Sequence, residues 1–210
     1  MDDCCEAKAQ ELTVVRGRHR NVLVIVLVIN TVLFVVEAVA GLLANSTALL
    51  ADSLDMLGDA LVYGFSLYVL GRSAAWKAKA ALLKGAIMAA FGAGVLVELV
   101  SKILWGVIPS AGTMGIVGAL VLLGNGACFL LLLRYRSDDL NMRSTWLCSR
   151  NDIVANLSVL LAAWGVKFFH SSWPDIVVGG AIASLFLKSA FAVLGESIAA
   201  LHGPGSEAGR

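Results

Sequence analysis

Seven acidic side chains of this 210-residue sequence lie inside long apolar stretches, where charged groups are costly. An Asp at the centre of a membrane helix costs about 2.5 to 3.5 kcal/mol on insertion scales. Three of the seven, Asp52, Asp55 and Asp59, are spaced by three and four residues, which places them on one face of a helix. This acidic stripe needs a compensating partner. The other four acids are Glu37, Glu98, Asp152 and Glu196.

A second stripe of donors follows later in the chain. Cys148, Asp152 and Asn156 repeat at intervals of four, so they share a helical face. Counted from the predicted cytoplasmic helix ends at 1.5 Å per residue, Asp59 lies about 16 Å deep, Asp152 about 12 Å and Asn156 about 18 Å. We therefore predict that the two stripes face each other and form one site.

Carboxylates that converge in a low-dielectric interior repel each other, and protons or a bound cation relieve that repulsion. Three carboxylates and one further donor suit a divalent ion in a tetrahedral or slightly larger site, and protonation would empty that site. Metal release would then be linked to proton uptake, as in a transport cycle. The alternative is that the acids pair with basic residues to hold a bundle together, the candidates being Lys84, Arg150 and Lys188.

Six windows of the sequence are long and apolar enough to position these stripes. A helix needs about 20 apolar residues to cross a hydrocarbon core of about 30 Å. The predicted spans cover residues 21–44, 47–70, 85–107, 113–133, 144–169 and 174–201. Lys and Arg concentrate before the first span and in every second link, and such residues stay on the cytoplasmic side. We predict an all-α membrane protein, a six-transmembrane-helix bundle with both termini cytoplasmic.

The composition agrees with a membrane protein. Hydrophobic residues make up 59% and charged residues 15% of the chain, against roughly 45 to 50% and about 25% in soluble domains. A net charge of +1 excludes a strongly basic nucleic-acid binder, so no nucleic-acid partner is expected. The sequence shows no HExxH or paired Ser/His arrangement inside the spans, and we do not expect an enzyme.

The first two spans resemble those of a known transporter family. Asn30, Glu37 and Gly41, followed by STALLADSLDMLGD from Ser46 to Asp59, closely resemble the cation diffusion facilitator family. The resemblance implies six transmembrane helices, a homodimer, and export of divalent metal ions such as zinc, cadmium, cobalt, iron or manganese against protons. It also implies a metal site that pairs a HxxxD or DxxxD motif on the second helix with another on the fifth.

Three acids fit those motifs, and one position departs from them. Asp55 and Asp59 match the DxxxD form, and Asp152 takes the acidic position of the second motif, but Cys148 stands where the family usually has His or Asp. A thiolate favours softer ions such as zinc or cadmium, whereas carboxylates with the amide of Asn156 favour manganese, iron or cobalt. Counted from the predicted cytoplasmic helix ends, Cys148 lies only about 6 Å deep, whereas Asp55 lies about 22 Å deep. The sequence therefore leaves open whether Cys148 or Asn156 completes the site.

Several further residues are candidates for supporting roles. Asp52 and Asn156 are each candidates for a metal ligand or for a residue that supports a ligand. Glu37 and Asn30, seven apart on one face of the first span, line the ion path, relay protons or bond to a neighbouring helix. Glu98 is expected to pair with Lys102 four residues on. In the N-terminal tail, a soft-metal role for Cys4, Cys5 and His19 stays open against an ordinary mobile tail.

The sequence thus predicts a tail over residues 1–20, a cation-efflux domain over 21–201 and a C-terminal tail over 202–210, without the soluble C-terminal domain that the family commonly carries. We expect a proton-coupled efflux transporter of divalent transition-metal ions in a bacterial inner membrane, with the ion as substrate and no permanently bound cofactor. Its expected partners are metal ions, protons, the bilayer and a second copy of the chain. The alternative is a membrane metal sensor or assembly subunit that does not transport.

Overall fold

The chain folds into six long helices in the computed structural model, which describes residues 20–68, 74–134 and 140–202. No strand occurs in these ranges, as an all-α bundle requires. The tail that holds Cys4, Cys5 and His19, the links at 69–73 and 135–139, and residues 203–210 lie outside the described residues. The helices are α1 (Arg20–Ala44), α2 (Thr47–Tyr68), α3 (Ala74–Trp105), α4 (Ala111–Leu133), α5 (Leu140–Phe169) and α6 (Trp173–His202).

The helices match the six predicted spans, with one clear difference. The sequence places the start of the third span at residue 85, because Lys77, Lys79 and Lys84 look like a basic link, but α3 begins at Ala74. Ala and Lys are both good helix formers, so the basic segment continues the helix instead of interrupting it. Trp76 and Trp105 lie 29 residues apart near its two ends, a length of about 44 Å that matches a whole bilayer with its headgroups.

Five of the six helices are long and apolar enough to cross a membrane by length and composition. The exception is α2, because every window of 18 residues within it contains Asp52, Asp55 and Asp59. The apolar helices expose large side chains outward, such as Leu43 at 79% on α1 and Val97 at 70% on α3. Lipid satisfies such surfaces, so this is the architecture of a multi-pass membrane protein.

The three short links between helices use the same device and meet at one end of the bundle. Asn45, Gly106 and His170 each have a positive φ, of 51°, 66° and 51°, the left-handed conformation that ends a helix and reverses the chain. The Ser110 amide donates to the Ala44 carbonyl at 3.0 Å, which joins the first link to the second. Alternating helices therefore place the ends at Arg20 and His202 together at the opposite end of the bundle.

Helix α2 is the centre of the bundle and packs against α1, α3, α5 and α6. Its apolar face is deeply buried, with Ala48, Leu49 and Ala51 all fully covered. Gly179 of α6 allows the closest approach, since a Cβ there would lie 2.7 Å from the Thr47 carbonyl carbon. The helix that carries the acidic stripe is thus held on several sides by apolar packing, which fixes where its polar face points.

Candidate functional site

A chain of hydrogen bonds crosses the bundle interior and joins polar side chains from three helices. The Asn125 side-chain amide on α4 donates to the Asn156 oxygen on α5 at 3.1 Å. The Asn156 amide in turn donates to an Asp52 carboxylate oxygen on α2 at 2.8 Å. All three side chains are buried, with exposures of 1% each. Burying a polar group is costly unless it is hydrogen-bonded, and these hydrogen bonds tie the α2 stripe to the α5 stripe.

Glu37 of α1 extends this network on its other side. Its carboxyl group lies close enough to that of Asp52 for the two groups to interact electrostatically, and the Glu37 side chain is completely buried. Both Glu37 oxygens and the second Asp52 oxygen have no hydrogen-bond donor among the described residues. Asn30 is also buried on this face of α1, while Val32 and Val36 on the opposite face are exposed. Glu37 and Asn30 therefore lie together on the buried face of α1.

Two of the three acids predicted as metal ligands lie within electrostatic range of this network, Asp55 near Glu37 and Asp152 near Asp52. Asp55, Asp59 and Asp152 are all half-buried. Asp152 lies close enough to Asp52 for their charges to interact, and both Asp59 and Asp152 lie within electrostatic range of Cys128 on α4. Acids of both α2 and α5 thus lie within electrostatic range of the same residue, Cys128.

The hydrogen bond between Asp52 and Asn156 also sets the register of the two antiparallel helices. Counted from it at 1.5 Å per residue, Asp152 lies about 6 Å farther toward the opposite end, level with residue 56 and between Asp55 and Asp59. The backbone of Cys148 lies about 12 Å along, level with residue 60 and so one residue beyond the level of Asp59. The depths counted from the sequence put Cys148 and Asp55 about 16 Å apart along the helix axes. The register set by the hydrogen bond reduces this separation to about 8 Å.

The complete ligand set stays a prediction. Within the described ranges, no three His, Cys, Asp or Glu side chains gather closely enough to hold a metal ion. The backbone of Cys148 lies in α5, but its side chain falls outside the described residues. Asn156 uses both ends of its amide on Asn125 and Asp52, which is the arrangement of a supporting residue.

A second buried cluster, which the sequence analysis missed, surrounds Asp175 at the start of α6. Its carboxylate accepts hydrogen bonds from the Ser46 hydroxyl at 2.6 Å and from the Thr47 and Ala48 amides at 2.8 and 3.1 Å. It also forms an ion pair with Lys102 of α3 at 2.7 Å. Asp175 therefore caps the first turn of α2 from another helix and anchors the helix that carries the acidic stripe.

The expected pair between Glu98 and Lys102 is wrong. Lys102 turns toward Asp175 and also donates to the Asn45 carbonyl, with only 2% of the residue exposed. A buried ammonium is costly unless it is paired and hydrogen-bonded, and the Asp175 carboxylate supplies that partner at 2.7 Å. The signal that could have found this contact is the position of Asp175, the only acid in the first turn of α6.

This arrangement of six helices, an acidic central helix and a fifth helix with matching donors fits the family suggested by the sequence motifs. The family model described as the cation efflux transmembrane domain matches residues 23–202, nearly the whole of the six-helix bundle. The chain belongs to the cation efflux family. No curated protein matches the chain.

Membership of the cation efflux family fixes the general activity. Proteins with this domain move metal cations across membranes, so the protein is a membrane transporter of metal cations. This favours transport over the alternative of a sensor or assembly subunit. The match covers both acidic helices, since α2 and α5 lie wholly within residues 23–202.

Proposed function

We propose that this cation efflux protein exports divalent transition-metal ions in exchange for protons, with zinc, cadmium or cobalt as its main substrates and manganese or iron as further ones. The proposed ligands are Asp55 and Asp59 from α2 with Asp152 and Cys148 from α5. Asp52 and Asn156 hold these helices in register. The observation that carries the proposal is the buried hydrogen bond from the Asn156 amide to the Asp52 carboxylate at 2.8 Å, which joins the α5 stripe to the α2 stripe.

The coupling follows from the chemistry of the proposed ligands. A divalent ion neutralises the converging carboxylates in an interior where bare charges are costly. When the ion leaves, protons must replace its charge, because the carboxylates would otherwise repel each other. Binding from the cytoplasm and release toward a more acidic exterior would then drive export.

The further features of the proposal follow the sequence. We place the protein in a bacterial inner membrane as a homodimer with both termini in the cytoplasm, with residues 21–201 as the transport domain between two short tails. The metal ion is the transported substrate, and no permanently bound cofactor is needed. Protons, metal ions and lipid are the partners, and nucleic acid is not one.

Transport by the purified protein tests this function. Vesicles that contain the protein should accumulate Zn²⁺, Cd²⁺ or Co²⁺ when a pH gradient is imposed, and should move protons in the opposite direction. Asp59→Asn and Asp152→Asn should each abolish accumulation. Glu196→Gln is the matched control, because Glu196 is an exposed acid on α6, and it should transport normally. Metal uptake that persists in both the Asp59→Asn and the Asp152→Asn variant would contradict the proposed mechanism.

A further inference from the structure

Four buried oxygens of the polar network accept no hydrogen bond from any residue that the structure describes. They are both carboxylate oxygens of Glu37, one oxygen of Asp52 and the side-chain oxygen of Asn125. Their residues are 0%, 1% and 1% exposed. A buried acceptor that is left without a partner costs about 1 to 3 kcal/mol, and more when it is charged. The network therefore lacks the positive charge or the donors that these four oxygens need.

The direction of the hydrogen bonds defines what is missing. Asn125 donates to Asn156, and Asn156 donates to Asp52, so the chain ends on Asp52 as an acceptor. Beyond Asp52 lies Glu37, and two carboxylates that face each other supply no hydrogen. One proton shared between them would engage one oxygen of each. The second Glu37 oxygen and the Asn125 oxygen would still lack a partner.

A metal cation can satisfy more acceptors than a proton can. A hard divalent ion accepts four or more oxygen ligands, and carboxylates and amide oxygens are the ligands that such ions prefer. We propose that Glu37 and Asp52, with the side-chain oxygen of Asn125, form a second cation-binding site for a hard divalent ion such as Mn²⁺. The idea that a transported ion passes through this site rests on the proposed function. The binding of an ion at the site does not depend on transport.

The second site adjoins the first, since Asp55 lies only one turn from Asp52, but it is centred nearer the end of the bundle where the short links meet. Glu37 lies seven residues before the end of α1, and Asp52 lies five residues after the start of α2. Both are therefore about 8 to 11 Å from the helix ends where the short links meet. Asp59 lies seven residues farther along α2, about 10 Å deeper. An ion that left the Asp55, Asp59 and Asp152 group toward the linked end would meet Glu37 and Asp52 next.

The stoichiometry of Mn²⁺ binding tests the second site without reference to transport. The purified full chain in detergent is titrated with Mn²⁺, and free Mn²⁺ is measured from its electron paramagnetic resonance signal. We expect two Mn²⁺ per chain in the unchanged protein and one in the Asp59→Asn/Asp152→Asn variant. Adding Glu37→Gln to that variant should remove the remaining Mn²⁺ or weaken its binding at least tenfold. Adding Asp52→Asn should do the same.

The controls make each outcome decisive. Glu196→Gln in the same background should retain the single Mn²⁺, and each variant must elute as the same species as the unchanged protein. If one of the two added changes prevents folding, the other decides. The second site is refuted if the Asp59→Asn/Asp152→Asn variant binds no Mn²⁺, or if its Mn²⁺ survives both Glu37→Gln and Asp52→Asn. Two bound Mn²⁺ without any transport would refute the proposed function and leave the second site intact.

Discussion

The ion pair between Lys102 and Asp175 illustrates how a single buried charge can fix a helix. Lys102 is 2% exposed, and Asp175 is fully buried and accepts four hydrogen bonds in all. Removing one partner would leave the other charge buried without compensation, which typically costs 3 to 5 kcal/mol. The pair therefore has a measurable role in stability, apart from any role in transport.

We expect Lys102→Met to destabilise the protein by about 3 to 5 kcal/mol, because the Asp175 carboxylate loses its cation. Thermal unfolding in detergent, followed by loss of helical circular dichroism, measures the effect as a lower midpoint. Lys167→Met is the matched control, because Lys167 is exposed in the last turn of α5. Equal midpoints for the two variants would show that the buried pair contributes nothing to stability.

A second prediction at the residue scale concerns the softness of the metal site. Cys148→Asp should shift the preference of transport from Zn²⁺ and Cd²⁺ toward Mn²⁺, by about tenfold or more, because a hard oxygen replaces a soft thiolate. Competition between Cd²⁺ and Mn²⁺ in vesicle uptake measures this ratio. Cys128→Ala is the control, since Cys128 is a buried apolar contact on α4. An unchanged ion profile for Cys148→Asp would remove that residue from the site.

The residues found from the sequence and those missed differ in a simple way. Asp52, Asp55, Asp59 and Asp152 are visible because an acid within an apolar helix needs an explanation. Asn125 and Lys102 carry no comparable signal, since one polar residue in a span has many uses and Lys102 sits near a helix end. Their partners come from distant parts of the chain, 31 and 73 residues away. Only the tertiary packing shows these contacts.

At the scale of whole helices, the close contact between α2 and α6 depends on Gly179. A Cβ atom there would lie 2.7 Å from the Thr47 carbonyl carbon and 2.8 Å from the Ala48 nitrogen. Both are backbone atoms that Asp175 holds in place through hydrogen bonds. The backbone at the start of α2 therefore cannot move aside without a loss of stability.

Gly179→Ala should destabilise the protein by about 1 to 3 kcal/mol, because the added methyl group forces the two helices apart. It should also lower transport, since α2 carries the proposed metal ligands. Gly195→Ala on the same helix is the control, because a Cβ there meets nothing within 4 Å; helix propensity alone makes Ala better than Gly by up to about 1 kcal/mol. Unfolding midpoints that fell equally in both variants would contradict the close-contact argument.

Helix positions were predictable because lipid demands long apolar segments, and five of the six helices satisfy that demand by composition alone. The start of α3 was not predictable, since a lysine-rich segment suits either a link or the end of a helix that extends into the headgroups. The register between α2 and α5 could not be predicted from the sequence either. A depth counted from a predicted helix end is wrong by as many residues as the end itself is misplaced. The hydrogen bond between Asp52 and Asn156 instead shows directly which residues of α2 and α5 lie level.

Two independent observations predict the orientation of the whole molecule in the membrane. The three short links meet at one end of the bundle, where the Ser110 amide bonds to Ala44 and Lys102 bonds to Asp175. The sequence places most Lys and Arg in the longer links and beside the N-terminus, at the opposite end. Because basic residues are retained in the cytoplasm, the short links should face outward.

Labelling with a membrane-impermeant maleimide on intact bacterial cells tests this orientation. In a background whose four native cysteines are replaced by Ser, Ile108→Cys should react without permeabilisation, because Ile108 lies in the second short link and is 54% exposed. Arg134, exposed at the end of α4 on the other side of the bundle, gives the matched position, and Arg134→Cys should react only in permeabilised cells. The reverse pattern would place the short links in the cytoplasm. The metal would then approach the group formed by Glu37 and Asp52 before Asp59, and the proposed order of the two sites along an export route would be wrong.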